Sequence, residues 1–205
     1  MEQKQRPIGR PRQDEKAKPT KEIILDVATR LFLEHGYKIV SMDDVAQTCG
    51  VTKATIYYHY STKAELFTDA MVKMMVRIRK EMNQLLSGNR PLKERLHTFS
   101  KTFLRATIDI DLTSFFKEAN ASLSTEQIQE IKEAEEQMYK VLEEAFNEAI
   151  LKGEISKVDP KFAAHAFVSL LTIGNYKDSH EKPLFPIEEM ADQIVEFYWN
   201  GLGKD

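Results

Sequence analysis

Three helix starts crowd into residues 41–65, and that crowding restricts the chain more than any other feature of its sequence. Ser41-Met42-Asp43-Asp44 reads as the capped start of a short helix ending at Cys49. Gly50 makes a turn, and Thr52 caps a second short helix. Thr62-Lys63-Ala64-Glu65 has the form of a capping box opening a long helix to Leu86, where SGNRP breaks it. Helices as short as the first two need a neighbour to pack on. The preceding segment supplies one. From about Lys21 to His35, the residues Ile24, Val27, Ala28, Leu31 and Phe32 follow the i, i+3, i+4, i+7, i+8 rule, and Gly36 stops the helix. Two short helices joined by a glycine turn beneath a first helix make a helix-turn-helix, whose second member lies in the major groove of DNA.

The remainder is also helical in period, and no segment alternates cleanly enough for a strand. Helices are expected near 91–109, 111–120, 124–152, 160–177 and 187–200, with breaks at Gly153, at Asp159-Pro160 and across 182–186, and with Gly201 as a final stop. The fold class is therefore all-α. Its expected divisions are a flexible basic arm (1–19), a helix-turn-helix domain (20–66) and a larger helical domain (67–205).

Charge supports a partner at one end only. The whole chain carries −3, yet residues 1–63 hold 11 Lys/Arg against 8 Asp/Glu, while the remaining 142 hold 18 against 24. That asymmetry fits a chain whose first part meets an anionic polymer. The single cysteine, Cys49, excludes an internal disulfide and points to a reducing compartment; packing is its expected role. The N-terminus has no apolar core of a secretory signal, and no apolar run is long enough to span a membrane, so a cytoplasmic protein is expected.

Lys53 and Lys63 each follow a capping Thr, where the helix dipole disfavours a cation unless an anion sits beside it. Placed on the second helix, Ile56 and Tyr60 share an inward face, leaving Lys53, Thr55, Tyr57, Tyr58 and His59 outward. A phosphate would let the helix N–H groups, the dipole and the ammonium act together, which makes both lysines candidate clamps. Ser41 and Thr52 join the candidate DNA contacts. So do Arg6, Arg10 and Arg12 of RPIGRPR, a narrow segment suited to the A·T minor groove. On spacing alone, a solvated surface with snorkelling tyrosines explains the same pattern equally well.

Residues 20–67 resemble the DNA-binding domain of the TetR/AcrR family of bacterial transcription regulators, through LFLEHGY, SMDDVAQTCGVTKATIYYHY and STKAEL. The resemblance implies that the helix around Thr55–His59 enters the major groove and that Lys63 holds a phosphate. Tyr60 stands where the family usually has Phe, so its hydroxyl must find water or a partner, and Cys49 stands for the more usual Ala. The resemblance also implies that the C-terminal domain dimerises and encloses a small-molecule pocket.

The segment 160–177 is apolar nearly all round, with small residues that permit close helix approach. Ala163, Ala166, Phe167 and Gly174, with Ile194 and Tyr198 of the last helix, are the expected dimer contacts, an intramolecular core being the alternative. Phe99, Phe103, Phe115, Phe116, Met138 and Leu142 are candidate pocket residues, although core filling explains such residues too. Glu135 falls within the apolar stripe of helix 124–152 and needs an arginine, water or a cationic ligand. No catalytic pair, metal-ligand spacing or phosphate loop is present, so no enzyme, cofactor or metal is expected. The expectation is a homodimeric repressor that binds a palindromic site in double-stranded DNA and is released by a small-molecule inducer. A ligand-independent architectural or cell-division DNA-binding protein of the same fold is the alternative.

Overall fold

The structure is a computed structural model that describes residues 18–107 and 112–202. Nine α-helices follow in order among these residues: α1 Thr20–His35, α2 Met42–Cys49, α3 Lys53–His59, α4 Lys63–Leu86, α5 Leu92–Thr107, α6 Leu112–Asn120, α7 Thr125–Lys152, α8 Pro160–Leu171 and α9 Ile187–Leu202. Side-chain caps fix many of the starts. Ser124 and Gln127 form a capping box on α7, and Asp159 with Pro160 at the first position opens α8. Gly153 ends α7 in the left-handed region, at φ 71° and ψ 21°.

Two expected ends differ. The helix expected over 160–177 stops as an α-helix at Leu171 and tightens into a 3-10 turn, Thr172–Asn175. Two β-branched residues and a glycine there favour the α-helix poorly. Gly174 also lies against α5, where a Cβ would come within 2.2 Å of Leu104 Cδ2. Gly201 does not stop α9, which runs on to Leu202.

The apolar residues form two clusters. One combines Ile24, Ala28 and Phe32 of α1, Val45 and Ala46 of α2, Ile56, Tyr60, and Leu66 to Met75 of α4 with Phe115 and Ala119 of α6 and Ile131 of α7. The other combines Met82 and Leu86 of α4 with α5, the second half of α7, α8 and α9. The long α4 thus belongs to both, and Ile78 packs against each. Aromatic contacts bind α6 to the first cluster: Phe67 meets Phe32 at 5.1 Å and Tyr37 at 5.0 Å edge-on, and Phe115 of α6 at 5.7 Å in a tilted pair, between ring centres. Each such pair adds roughly 0.5–1.5 kcal/mol beyond area burial. Glu118 of α6 also accepts the Lys38 N–H at 2.9 Å.

These clusters correct two expectations. Ala163, Phe167, Gly174, Ile194 and Tyr198 are buried inside their own subunit, with Tyr198 donating its hydroxyl proton to the Ala163 carbonyl, so they are unavailable to a second copy. The outward face of α8 and its 3-10 turn runs one step round the axis, through Phe162, half-buried Ala166 and Ile173, with Phe197 on α9. Phe162 is 68 % and Phe197 72 % exposed. The pocket candidates do not converge either. Phe99, Phe103, Met138 and Leu142 belong to the second cluster, whereas Phe115 and Phe116 pack with the first. Glu135 is exposed, not inward. It falls in the span of α7 between Ile131, which serves one cluster, and Val141, which starts the contribution to the other. Partial loss of solvent still pushes its carboxyl pKa up, against the pull of His165.

Candidate nucleic-acid interface

The exposed surface of the α2–α3 pair is built from its caps outward. Ser41 accepts the Asp44 N–H at 3.2 Å, while the Asp44 carboxylate takes the Ser41 hydroxyl proton at 2.7 Å and the Ser41 N–H at 2.8 Å. Those bonds, the hydroxyl first, hold the Asp44 carboxyl below the usual carboxylate range. Gly50 closes α2 at φ 67° and ψ 30°, and a Cβ there would touch nothing, so conformation alone requires the glycine. Thr52 then accepts the Thr55 N–H at 3.2 Å and starts α3.

Within α3 only Ile56 is buried; Tyr60, its C-cap, is buried as well. The Tyr60 hydroxyl donates to Asp69 at 3.1 Å, which is the partner its extra oxygen requires. Burial first, and then Asp69, push its pKa up. Everything else on the helix faces solvent wholly or partly. Tyr58 is 85 % exposed and Tyr57 45 %, with Thr55 and His59 half-buried and Thr52 and Lys53 exposed. Lys53 bonds Asp43 of α2 at 2.9 Å and lies 5.9 Å from the Tyr57 ring centre. This exposed ion pair ties the two helix starts together and is weak enough to exchange for a phosphate. One surface therefore gathers Thr52, Lys53, Thr55, Tyr57, Tyr58 and His59. Ser41 is exposed at the start of α2, and Arg6, Arg10 and Arg12 lie outside the described residues.

Lys63 is occupied differently from its expected role as a clamp. Its ammonium donates to the carbonyls of Tyr37 at 2.8 Å, Val40 at 3.0 Å and Lys38 at 3.3 Å, and sits 4.5 Å from the Tyr37 ring centre. An ammonium has three protons, and three acceptors take them. Here the residue staples the α1–α2 loop to the start of α4. The capping box also shifts by one: Thr62 accepts the Glu65 N–H, but Glu65 takes the N–H of Ser61. Lys38, exposed in the same loop, was not among the sequence candidates; a lone loop lysine carries no pattern that would single it out. Cys49 is half-buried, and burial raises its thiol pKa, which makes it a poor nucleophile.

Among the described residues, no cluster of His, Cys, Asp or Glu has the makings of a metal site. No helix among them is long and apolar enough to cross a membrane.

Residues 24–70 match the model of bacterial regulatory proteins of the tetR family, and residues 89–174 match the tetracyclin repressor-like C-terminal domain. The chain is similar to the uncharacterized HTH-type transcriptional regulator YhgD of Bacillus subtilis, 28 % identical over 186 residues, covering 90 % of this chain and 97 % of that protein. It shares its fold with FadR of Bacillus subtilis, solved in complex with stearoyl-CoA, at a TM-score of 0.71 and 18 % identity over 88 % of this chain and 98 % of that one. AibR, solved with isovaleryl coenzyme A and operator DNA, superposes at 0.64 with 26 % identity, covering 87 % and 97 %.

Proposed function

This chain belongs to the TetR family of bacterial transcriptional regulators, and on that premise we propose that it is a homodimeric repressor released from a palindromic operator by a small molecule. The family consists of DNA-binding regulators and not of catalysts. The observation that carries the reading is α3 itself: a capped helix that turns Ile56 inward and leaves Lys53, Tyr57 and Tyr58 exposed, with Thr55 half-buried beside them. In the major groove these residues reach phosphates and base edges. Residues 1–19 serve as a basic arm for the adjacent minor groove, residues 20–66 as the DNA-reading head, and residues 67–205 as sensor and dimerisation unit, all in the cytoplasm.

Two heads must occupy grooves about one turn, ~34–36 Å, apart, so their separation controls affinity. Phe162, Ile173 and Phe197, large apolar side chains left exposed on α8, its 3-10 turn and α9, support a two-fold contact through these elements. A signal has a route to the head, because α6 and the start of α7 pack into the head's own cluster and α4 runs through both clusters. The CoA thioesters bound by FadR and AibR favour a ligand sensor over a ligand-independent architectural protein.

The test is selection of bound sequences from random duplexes, followed by titration of the recovered site. An inverted repeat is expected. Tyr58→Ala, at a residue 85 % exposed, should weaken binding at least tenfold without lowering the melting temperature. Recovery of no sequence preference, or full affinity in that variant, would refute this use of α3.

A further inference from the structure

Arg95 of α5 is completely buried, the largest such side chain in the protein's described part. Its Nη1 donates to the Leu86 carbonyl at 2.6 Å and to Glu148 at 3.2 Å. Its Nε and Nη2 are also buried and make no hydrogen bond among the described residues. The two form one edge of the guanidinium plane, with parallel N–H bonds spaced to meet the two oxygens of a carboxylate or phosphate. A buried donor without a partner costs stability, so such an edge in an interior calls for a physical explanation. Leu92 and Leu96, buried on the same helix as Arg95, belong to the apolar cluster that also takes in Phe146 and Ile155, so the interior this guanidinium enters is hydrocarbon in character.

We propose that the Nε/Nη2 edge of Arg95 receives the oxyanion of an effector with an apolar body. This rests on the sensor reading above and names the effector's chemistry. The consequence for signalling is direct. Leu86 is the last residue of α4, and its carbonyl shares Nη1 with Glu148 of α7. An oxyanion drawn to the opposite edge turns the guanidinium plane against both bonds, at the end of the helix whose other end directly follows α3. Glu148 also holds Lys152, so it retains a cationic partner when Arg95 turns.

The experiment measures binding of decanoate, decyl phosphate, stearoyl-CoA and decanol to the full-length protein by calorimetry, and release of a bound operator by each. At least one of the three anions should bind and release DNA, and decanol should not. Decanoate against decyl phosphate identifies whether carboxylate or phosphate is the group received. Arg95→Met should bind that anion at least tenfold more weakly while still unfolding cooperatively, because the carboxylate it leaves behind, Glu148, is part-exposed and keeps Lys152 as a partner. Arg95→Lys keeps the charge but not the fork and should also lose at least tenfold; it decides the matter if the Met variant does not fold. Binding of none of the anions, or equal binding by these variants, overturns the proposal. A wild-type protein that holds DNA and is released only by a neutral or cationic compound would leave the regulator reading standing and remove this one.

Discussion

Replacing Lys63 by Ala separates its structural work from any role at DNA. The ammonium makes hydrogen bonds of 2.8, 3.0 and 3.3 Å to carbonyls of the α1–α2 loop. A hydrogen bond to a charged group contributes about 1.5–3 kcal/mol when its partners cannot reach water. Lys63 is half-buried and the Lys38 acceptor is exposed, so hydration recovers much of the loss, leaving a cost of about 2–3 kcal/mol for the set. In a chain of this size, 1 kcal/mol moves the melting temperature by about 2–4 °C, which gives an expected fall of roughly 4–12 °C. Calorimetry on the DNA-free protein reads it. Lys53→Ala, which breaks only an exposed ion pair, should melt with the wild type yet flatten the salt dependence of DNA binding by about one slope unit. Should Lys63→Ala melt within about 1 °C of the wild type, the three carbonyl bonds do not hold the loop and the staple argument is wrong.

Two further outcomes follow from geometry already described. Phe162→Asp combined with Phe197→Asp alters exposed side chains and should yield folded monomers in sedimentation; an unchanged dimer would place the interface elsewhere. Acid should weaken the head, because Asp44 and Asp26 have carboxyls held below their ordinary range, Asp44 chiefly by Ser41 and Asp26 chiefly by Lys18. Their contribution is complete above a pH of about 4 and disappears as pH falls through the lowered folded-state values, so Asp44→Asn should flatten the acid limb of a stability–pH curve.

The helix-turn-helix was legible because its signals are local. Ser41, Gly50 and Thr52 act on backbone groups within three or four residues, and they mark the same turns in the structure as in the sequence. Long-range features were not. Nothing near Phe115 and Phe116 announces that α6 returns to the head, since the ring that Phe115 meets there, Phe67, lies far back in the chain. Glu135 misled for a related reason: the stripe of α7 joins two separate buried patches, and periodicity carries straight across the exposed gap between them. On α8, apolar residues lie nearly all round, so composition could not tell the buried Ala163–Phe167 side from the exposed Phe162 side. The role of Lys63 depends on carbonyls of a loop more than 20 positions away, and carbonyls look alike in any sequence.

With Leu66 to Met75 of α4 in one cluster, Met82 and Leu86 in the other, and Ile78 touching both, the two halves of the molecule share a single hydrogen-bonded rod. Neither half can come apart without stripping support from a helix that the other still needs. Heat should therefore find one cooperative transition instead of two, and damage suffered by the C-terminal half will be registered at the helix-turn-helix end.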